Sequence, residues 1–171
     1  MKLLPACFLA TGALLAADGT NPLIDSSKSF YEQIKSVVLR SVDKMPEENY
    51  GFKPSDDVRT YGQLLAHIAD AQYIMCGIVT QGKPVMKGLE KSAKTRAEIT
   101  KALNDGFAFC DAAYAKITDA DAATEVNWFG NKRTKLSILD FNIAHAFEHY
   151  GNLVTYMRIK GIVPPSSEPR K

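Results

Sequence analysis

The sequence predicts an all-α protein, a four-helix bundle with long connecting loops. Hydrophobic residues recur at i, i+3 and i+4 in four separate stretches of the 171-residue chain. No stretch shows the apolar–polar alternation that is typical of a half-buried strand. The composition, 46% hydrophobic and 23% charged, is ordinary for a globular domain. Amphipathic helices of this length bury their apolar stripes best against one another, which favours a bundle.

The first residues, MKLLPACFLATGALLAA (1–17), are expected to be a signal peptide. Lys2 precedes an apolar run that ends in the small residues Ala16 and Ala17, and the run is short for a membrane-spanning helix. An exported, periplasmic protein is therefore expected, with an uncleaved anchor or a cytoplasmic chain as alternatives. Residues 18–171 are expected to form one domain without a membrane span.

Four helices are predicted along the rest of the chain. Pro46 ends the first helix, Gly82 the second and Gly161 the fourth. The third begins with TRAE, in which Thr95 and Glu98 form the pattern of a capping box. The predicted ranges are 27–44, 60–80, 95–117 and 137–160.

The connections between these helices are longer than the ~2–8 residues that are common in bundles. They span residues 45–59, 81–94 and 118–135. Loops of that length can cross an end of the bundle, so an up-down-up-down order is not required, and such loops often carry binding residues. Tyr50, Trp128 and Phe129 in these loops either form the walls of a pocket or simply pack the loops. The C-terminal PPSSEPRK is expected to be mobile.

All three histidines of the chain fall in core-facing positions of two predicted helices. His145 and His149 lie four residues apart in HAFEHYGNLV. Side chains at i and i+4 have Cβ atoms about 5–6 Å apart, so two imidazoles can bind one ion at ~2.0–2.1 Å. His67, in the core register of the second helix, is the remaining candidate for a third ligand. The spacing predicts a three-histidine metal site with open coordination positions.

Two other interpretations use the same histidines. In one, they bind no metal and form hydrogen bonds with Asn142 and Asn152. In the other, HAFEH is the H-x-x-E-H signature of inverted zinc peptidases. That family takes its third ligand, usually a Glu, from well downstream, whereas the sole acid after His149 is Glu168 in the tail. The peptidase interpretation is therefore rejected.

Asp70, three residues after His67, is the candidate catalytic residue, as a general base. It is alternatively a fourth metal ligand, a hydrogen-bond acceptor for a ligand, or an ordinary surface carboxylate. Glu148 is adjacent to the histidine pair in sequence but one step around the helix.

Cys76 and Cys110 lie on separate predicted helices. They either pair in an oxidising compartment or serve as small core residues. Neither has a cysteine nearby in sequence, so no cysteine-based zinc cluster is predicted.

Two segments carry a family resemblance: MPEENYGFKPSDDVRTYGQLLAHIADAQ and NIAHAFEHYGNLVTYMRIKGIVPPSS. Over most of residues 23–167 the chain resembles the DinB-like superfamily, the damage-inducible and YfiT-type metal-binding bundles. The resemblance implies an up-down-down-up four-helix bundle and a homodimer. It also implies a metal site formed by one histidine of the second helix and the pair of the fourth, here His67, His145 and His149.

Activity follows less directly from the resemblance. The family includes bacillithiol-using thiol S-transferases, mycothiol-dependent isomerases and hydrolase-like proteins, which implies a metal-dependent transferase or hydrolase of small molecules. The expected ion is Zn²⁺, with Ni²⁺ or Fe²⁺ as alternatives. Thiol-dependent members are cytoplasmic, which an export signal does not match. The alternative is a non-enzymatic metal-binding or interaction module. A formal charge of +2 without a basic run gives no reason to expect a nucleic-acid partner.

Overall fold

Four long helices form a bundle in the computed structural model, which describes residues 20–169. The predicted signal peptide, residues 1–17, lies outside the described residues. The long helices are α1 (Pro22–Lys44), α2 (Tyr61–Gln81), α4 (Arg96–Tyr114) and α6 (Lys135–Ile159). Two single helical turns lie between them, α3 (Leu89–Ser92) and α5 (Asp119–Ala122). Two short strands, β1 (Glu125–Trp128) and β2 (Asn131–Thr134), precede α6. None of the helices within 20–169 is long and apolar enough to cross a membrane.

The helix ends lie within three residues of the predicted ranges except at the start of α1. The predicted capping box is present at α4, where Thr95 Oγ1 accepts from the N–H of Glu98 at 3.2 Å and the Glu98 carboxylate accepts from the N–H of Thr95 at 3.0 Å. Helix α1 begins at Pro22, earlier than the predicted residue 27. Its first turn is capped by Asp119 of α5, which accepts from the backbone N–H groups of Leu23 and Ile24. The sequence between α1 and its cap is too long for local signals to reveal this contact.

The direction of α4 relative to α1 follows from contacts at both ends of the helices. The hydroxyl oxygen of Tyr114, at the end of α4, lies 3.3 Å from Oγ of Ser27, near the start of α1. Arg96, at the start of α4, donates to the carbonyl of Met45, just after α1. The two helices are therefore antiparallel.

Helix α2 runs parallel to α4 and antiparallel to α6. Gly62 lies against Ile99 near the starts of α2 and α4, and Cys76 bonds to Cys110 nearer their ends. Across α2 and α6 the contacts run in opposite order, namely Arg59 with Tyr156, His67 with His145, and Gln72 with Asn142. Each of α1 and α2 packs mainly on α4 and α6. The bundle is thus up-down-down-up, and the first connection crosses one end of it.

A short hairpin lies where the sequence predicted only loop. Strands β1 and β2 pair antiparallel, with Trp128 opposite Asn131 beside the turn. Phe129 and Gly130 form that turn with φ values of 46° and 90°. The absence of strands was predicted wrongly because four-residue strands are too short to show a clear alternation.

The C-terminal segment packs against α1 and is not the free tail that the sequence suggested. Pro165 is buried, and the backbone N–H of Ser166 donates to the hydroxyl of Tyr150 at 2.9 Å. Glu168 forms ion pairs with two basic residues of α1, Arg40 and Lys44. These contacts order the chain to the end of the described residues.

Cys76 of α2 and Cys110 of α4 form a disulfide, with their Cα atoms 5.4 Å apart. Both side chains are fully buried. The pair therefore occupies the core and cross-links it, which combines the two roles that the sequence left open.

Candidate metal centre

The three histidines lie together because α2 and α6 pack antiparallel. His67 projects from α2 toward the pair on α6. Its Nε2 is 3.1 Å from Nε2 of His145, which in turn is 3.0 Å from Nε2 of His149. The potential ligand atoms of the three residues all lie within 4.8 Å of one another. Within residues 20–169, no further His, Cys, Asp or Glu joins this group.

The cluster has the spacing and the chemistry of a site for a divalent cation. Two nitrogens bound at ~2.0–2.1 Å to a tetrahedral ion are about 3.3 Å apart, so the observed separations need to open by only a few tenths of an ångström. His145 Nε2 faces both other Nε2 atoms, yet a neutral imidazole carries one proton and cannot donate fully to two neighbours. A cation at the centre satisfies all three lone pairs, and three imidazoles suit zinc, nickel or iron.

A carboxylate orients the first of the three histidines. Glu90, on α3, accepts a hydrogen bond from Nδ1 of His67 at 2.8 Å and another from Nε of Arg59 at 2.9 Å. Because an ionised carboxylate can only accept, the proton of His67 resides on Nδ1 and the lone pair on Nε2. Carboxylates of this kind commonly fix metal-binding histidines.

Asp70 supports the turn that carries Glu90. Its two carboxylate oxygens accept from the backbone N–H groups of Leu89 and Glu90, each at 2.9 Å. The preceding Gly88 has φ of 70°, which turns the chain into α3. Asp70 thus contacts the site through α3 and is not one of the clustered groups, and its catalytic role stays a prediction.

Burial keeps two of the histidines neutral. Burial, with repulsion from His149 and His67, lowers the pKa of His145 from 6.5 to about 4. Burial also lowers the pKa of His149, and electrostatic repulsion from His67 is the next largest cause. Partial burial acts to raise the pKa of Glu90, but the hydrogen bonds from Arg59 and His67 outweigh it and lower that pKa. At neutral pH the site therefore offers neutral nitrogen donors beside an ionised carboxylate.

The Nδ1 atoms of His145 and His149 are buried and have no hydrogen-bond partner in the described part of the chain. Asn142, one of the two asparagines considered as partners, instead exchanges hydrogen bonds with Gln72, and Asn152 is exposed. The structure therefore does not form the histidine–asparagine pairs of the metal-free interpretation.

A cavity of about 670 Å³ adjoins the cluster. His149 and Glu90 are part of its wall, and the end of the 45–59 connection forms another part. The charged side chains around it are Asp56, Asp57, Arg59, Glu90 and Glu148. Tyr50, considered either as a wall residue or as loop packing, is buried, and its hydroxyl donates to the carbonyl of Val42.

Aromatic rings extend from the hairpin to the cluster on α6. The ring of Trp128 is 4.7 Å from that of Phe141, edge to face, and Phe141 is 6.1 Å from the ring of His145. Phe129 lies 6.1 Å from Trp128. The sequence left open whether Trp128 and Phe129 form a pocket wall or pack the loops, and neither is among the residues that line the cavity. Phe141 was not recognised.

Glu90 and Arg59 were also missed by sequence reasoning. Glu90 lies 23 positions from His67 on a different element, in a connection that showed no helical periodicity. No spacing rule links two such residues, so only the fold brings them together.

The chain belongs to the DinB superfamily, whose sequence profile matches residues 31–153. The family resemblance and the all-α fold class are thereby confirmed. The chain is similar to the uncharacterised protein YjoA of Bacillus subtilis, with 23% identity over 139 residues, which cover 74% of this chain and 84% of YjoA.

Solved structures agree with this fold. A DinB-like protein from Bacillus cereus superposes with a TM-score of 0.71 at 19% identity, covering 83% of this chain and 95% of that one. The structure of YjoA from Bacillus subtilis gives 0.69 at 20% identity, covering 88% and 100%. A mycothiol-dependent maleylpyruvate isomerase gives 0.64 at 13% identity, covering 78% and 65%. At these identities the similarity establishes the fold alone.

Proposed function

We propose that this protein is a metal-dependent enzyme that acts on small molecules, as a transferase or a hydrolase. His67, His145 and His149 hold one divalent ion through their Nε2 atoms, with zinc as the first candidate. The convergence of these three nitrogens, with no fourth ligand from residues 20–169, is the observation that carries the proposal. Three protein ligands leave a position for substrate, as in catalytic sites.

The bound ion supplies Lewis acidity, which acidifies a water or thiol or polarises a carbonyl group. The chain's own residues do the rest. Glu90 holds the proton of His67 on Nδ1, and burial keeps His145 neutral. Glu148 is one of the residues that line the cavity, whereas both carboxylate oxygens of Asp70 accept hydrogen bonds from the backbone of α3. We therefore assign proton transfer in the cavity to Glu148 ahead of Asp70.

The cavity favours an enzyme over a binding module in which the ion only stabilises the bundle. Its volume of about 670 Å³ falls within the ~300–1,000 Å³ of small-molecule sites. Similarity to a mycothiol-dependent isomerase is a reason to include thiol-dependent reactions in a screen. Hydrolysis of small esters and amides forms the other arm of that screen.

We also propose that the protein is exported and works in an oxidising compartment. The buried disulfide between Cys76 and Cys110 supports this, because such bonds persist outside the reducing cytoplasm. The homodimer implied by the family stays a prediction, which sedimentation of the purified protein checks.

Metal content tests the proposed function. The protein, produced without a His tag and purified without chelating resin, is equilibrated with zinc, dialysed and analysed by inductively coupled plasma mass spectrometry. We expect about one zinc per chain, and its loss in His145→Ala and His149→Ala. Asn152→Ala, an exposed cavity residue on the same helix, is the matched control and retains the metal. A native protein that takes up no metal contradicts the proposal.

Cobalt separates the enzyme from the binding module. In the cobalt-loaded protein, an ion with an open position changes its visible spectrum when azide is added, and an ion with a closed shell does not. A spectrum that is unaffected by azide, with no turnover in the screen, supports the binding module.

A further inference from the structure

The tip of the hairpin exposes a large aromatic side chain at a strained position. Phe129 is the one non-glycine residue with positive φ among residues 20–169, at 46°, a region that bulky side chains rarely adopt. Its side chain is not buried in return, since it is 62% exposed. Asn is favoured over Phe at this position of a tight hairpin turn. Strain of this kind is concentrated at functional sites.

The exposed ring is one end of a continuous aromatic surface. Phe129 contacts Trp128, Trp128 stands edge to face on Phe141, and Phe141 adjoins the imidazole of His145. Phe141 is itself 45% exposed. We call Trp128, Phe129 and Phe141 the aromatic shelf. Its inner end, Phe141, adjoins His145 of the metal centre, so a molecule lying on the shelf lies beside the cluster.

The size of the shelf fits a small molecule better than a protein partner. Exposed fractions of 62% for Phe129 and 45% for Phe141 leave roughly 200 Å² of aromatic surface. A stable dimer buries about 800 Å² on each partner. One aromatic or similarly flat apolar group covers the shelf, whereas a second copy of the chain would need several times more surface.

We propose that the aromatic shelf binds the aromatic or flat apolar group of the substrate, while the metal-binding group of the same molecule lies at the histidine cluster. The proposal rests on the proposed function, because it requires an ion at the cluster. It adds a substrate class: small molecules that join an aromatic group to an oxygen or sulfur donor. Phe129 and Phe141 are then specificity-determining residues.

Two metal-binding probes test the shelf on the zinc-loaded protein. Benzohydroxamate and acetohydroxamate carry the same chelating group and differ in the phenyl ring. We expect calorimetry to show that benzohydroxamate binds about tenfold more tightly, because an aromatic contact of this kind raises affinity by about that factor. The chain has a single tryptophan, Trp128. Its fluorescence should change with benzohydroxamate and stay nearly constant with acetohydroxamate.

Variants separate the shelf from differences inherent in the probes. In Phe129→Asn and Phe141→Leu the benzohydroxamate advantage falls severalfold, whereas the affinity for acetohydroxamate is unchanged. Phe129→Asn suits the backbone of the turn, so the variant folds at least as stably as the native chain. Phe129→Tyr restores the advantage. Phe30→Ala removes a ring of similar exposure, 57%, from α1 and leaves both affinities unchanged.

Each negative result has a distinct meaning. Equal affinities of the native protein for the two hydroxamates, or an advantage that survives in both shelf variants, overturn the shelf proposal. Zinc that is retained while neither probe binds also overturns it, since no position is then open beside the shelf. A protein that takes up no zinc contradicts the proposed function itself. If Phe129→Asn instead changes the sedimentation coefficient without altering probe binding, the shelf is a contact between copies of the chain.

Discussion

One carboxylate oxygen of Glu90 accepts a hydrogen bond from Nδ1 of His67 at 2.8 Å, and the other accepts one from Nε of Arg59 at 2.9 Å. The carboxylate thus sets both the tautomer and the ring orientation of His67. The lone pair on Nε2 consequently faces His145 and His149. The four-residue helix α3, which carries Glu90, therefore holds His67 in the tautomer and orientation that binding an ion requires.

Replacing Glu90 by Gln should weaken metal binding without unfolding the protein. The amide is neutral and less basic, so the proton on Nδ1 and the ring orientation are held less firmly. Loss of such a partner typically lowers metal affinity by about 10–100-fold. Zinc dissociation constants from competition with a chromophoric chelator check this.

Glu48→Gln is the control for that measurement, since Glu48 is exposed in the 45–59 connection and lies outside the site. Its zinc affinity should equal that of the native protein. Equal affinities for Glu90→Gln and the native protein would mean that the carboxylate does not position His67.

Asp70→Asn should also weaken zinc binding, by an indirect route. An amide offers one oxygen where the carboxylate offers two, so one backbone N–H of α3 loses its acceptor. The turn then holds Glu90 less firmly, and a severalfold rise in the dissociation constant for zinc is expected. Combining this change with Glu90→Gln should give little further loss, because both act through one hydrogen bond. Unchanged zinc affinity with lost turnover would instead support the catalytic role that the sequence predicts for Asp70.

The stability of the metal-free protein should fall as the pH is lowered through the histidine range. The pKa of His145 is about 4 in the folded chain, against 6.5 ordinarily, so the unfolded chain binds more protons between these values. The free energy of unfolding should therefore decrease from about pH 7 to about pH 5, with EDTA present throughout.

Urea titrations at several pH values measure this slope, and His145→Asn should reduce it. Glu90 does not contribute to this slope. Its pKa lies below the usual value of 4.5, so its carboxyl group is protonated only at a pH lower than the range measured. A native slope equal to that of His145→Asn would show that His145 is not buried among the other histidines.

Reducing the disulfide should destabilise the bundle. Cys76 and Cys110 are 34 positions apart, and closing a loop of that length stabilises a fold by about 3–4 kcal/mol in the chain-entropy treatment. Urea midpoints with and without dithiothreitol measure the difference. The double variant Cys76→Ala/Cys110→Ala should be insensitive to the reductant. A native protein whose midpoint does not respond would show that the two thiols are unpaired.

The sequence predicted the long helices well because each carries its own signals. Periodicity identified the core of every helix, and the capping box at Thr95 and the glycine at position 82 marked ends that the structure confirms. The start of α1 was misplaced because its cap, Asp119, comes from a distant element. The hairpin was missed because its strands are shorter than the window over which alternation can be recognised.

The candidate site likewise contains residues that the sequence could identify and residues that it could not. His145 and His149 could be paired from their spacing on one helix, and His67 by elimination among three histidines. Glu90, Arg59 and the aromatic shelf depend on where connections fold against α2 and α6. Such contacts join residues that have no fixed spacing, so they become visible only in the folded chain.

X-ray absorption at the zinc edge of the loaded protein tests the central claim most directly. We predict about one zinc per chain, with three imidazole nitrogens at ~2.0–2.1 Å and one light atom from solvent. In His149→Ala the imidazole scattering should fall or the metal should be lost. A zinc shell containing sulfur, or one without imidazole scattering, would contradict a three-histidine centre formed by His67, His145 and His149.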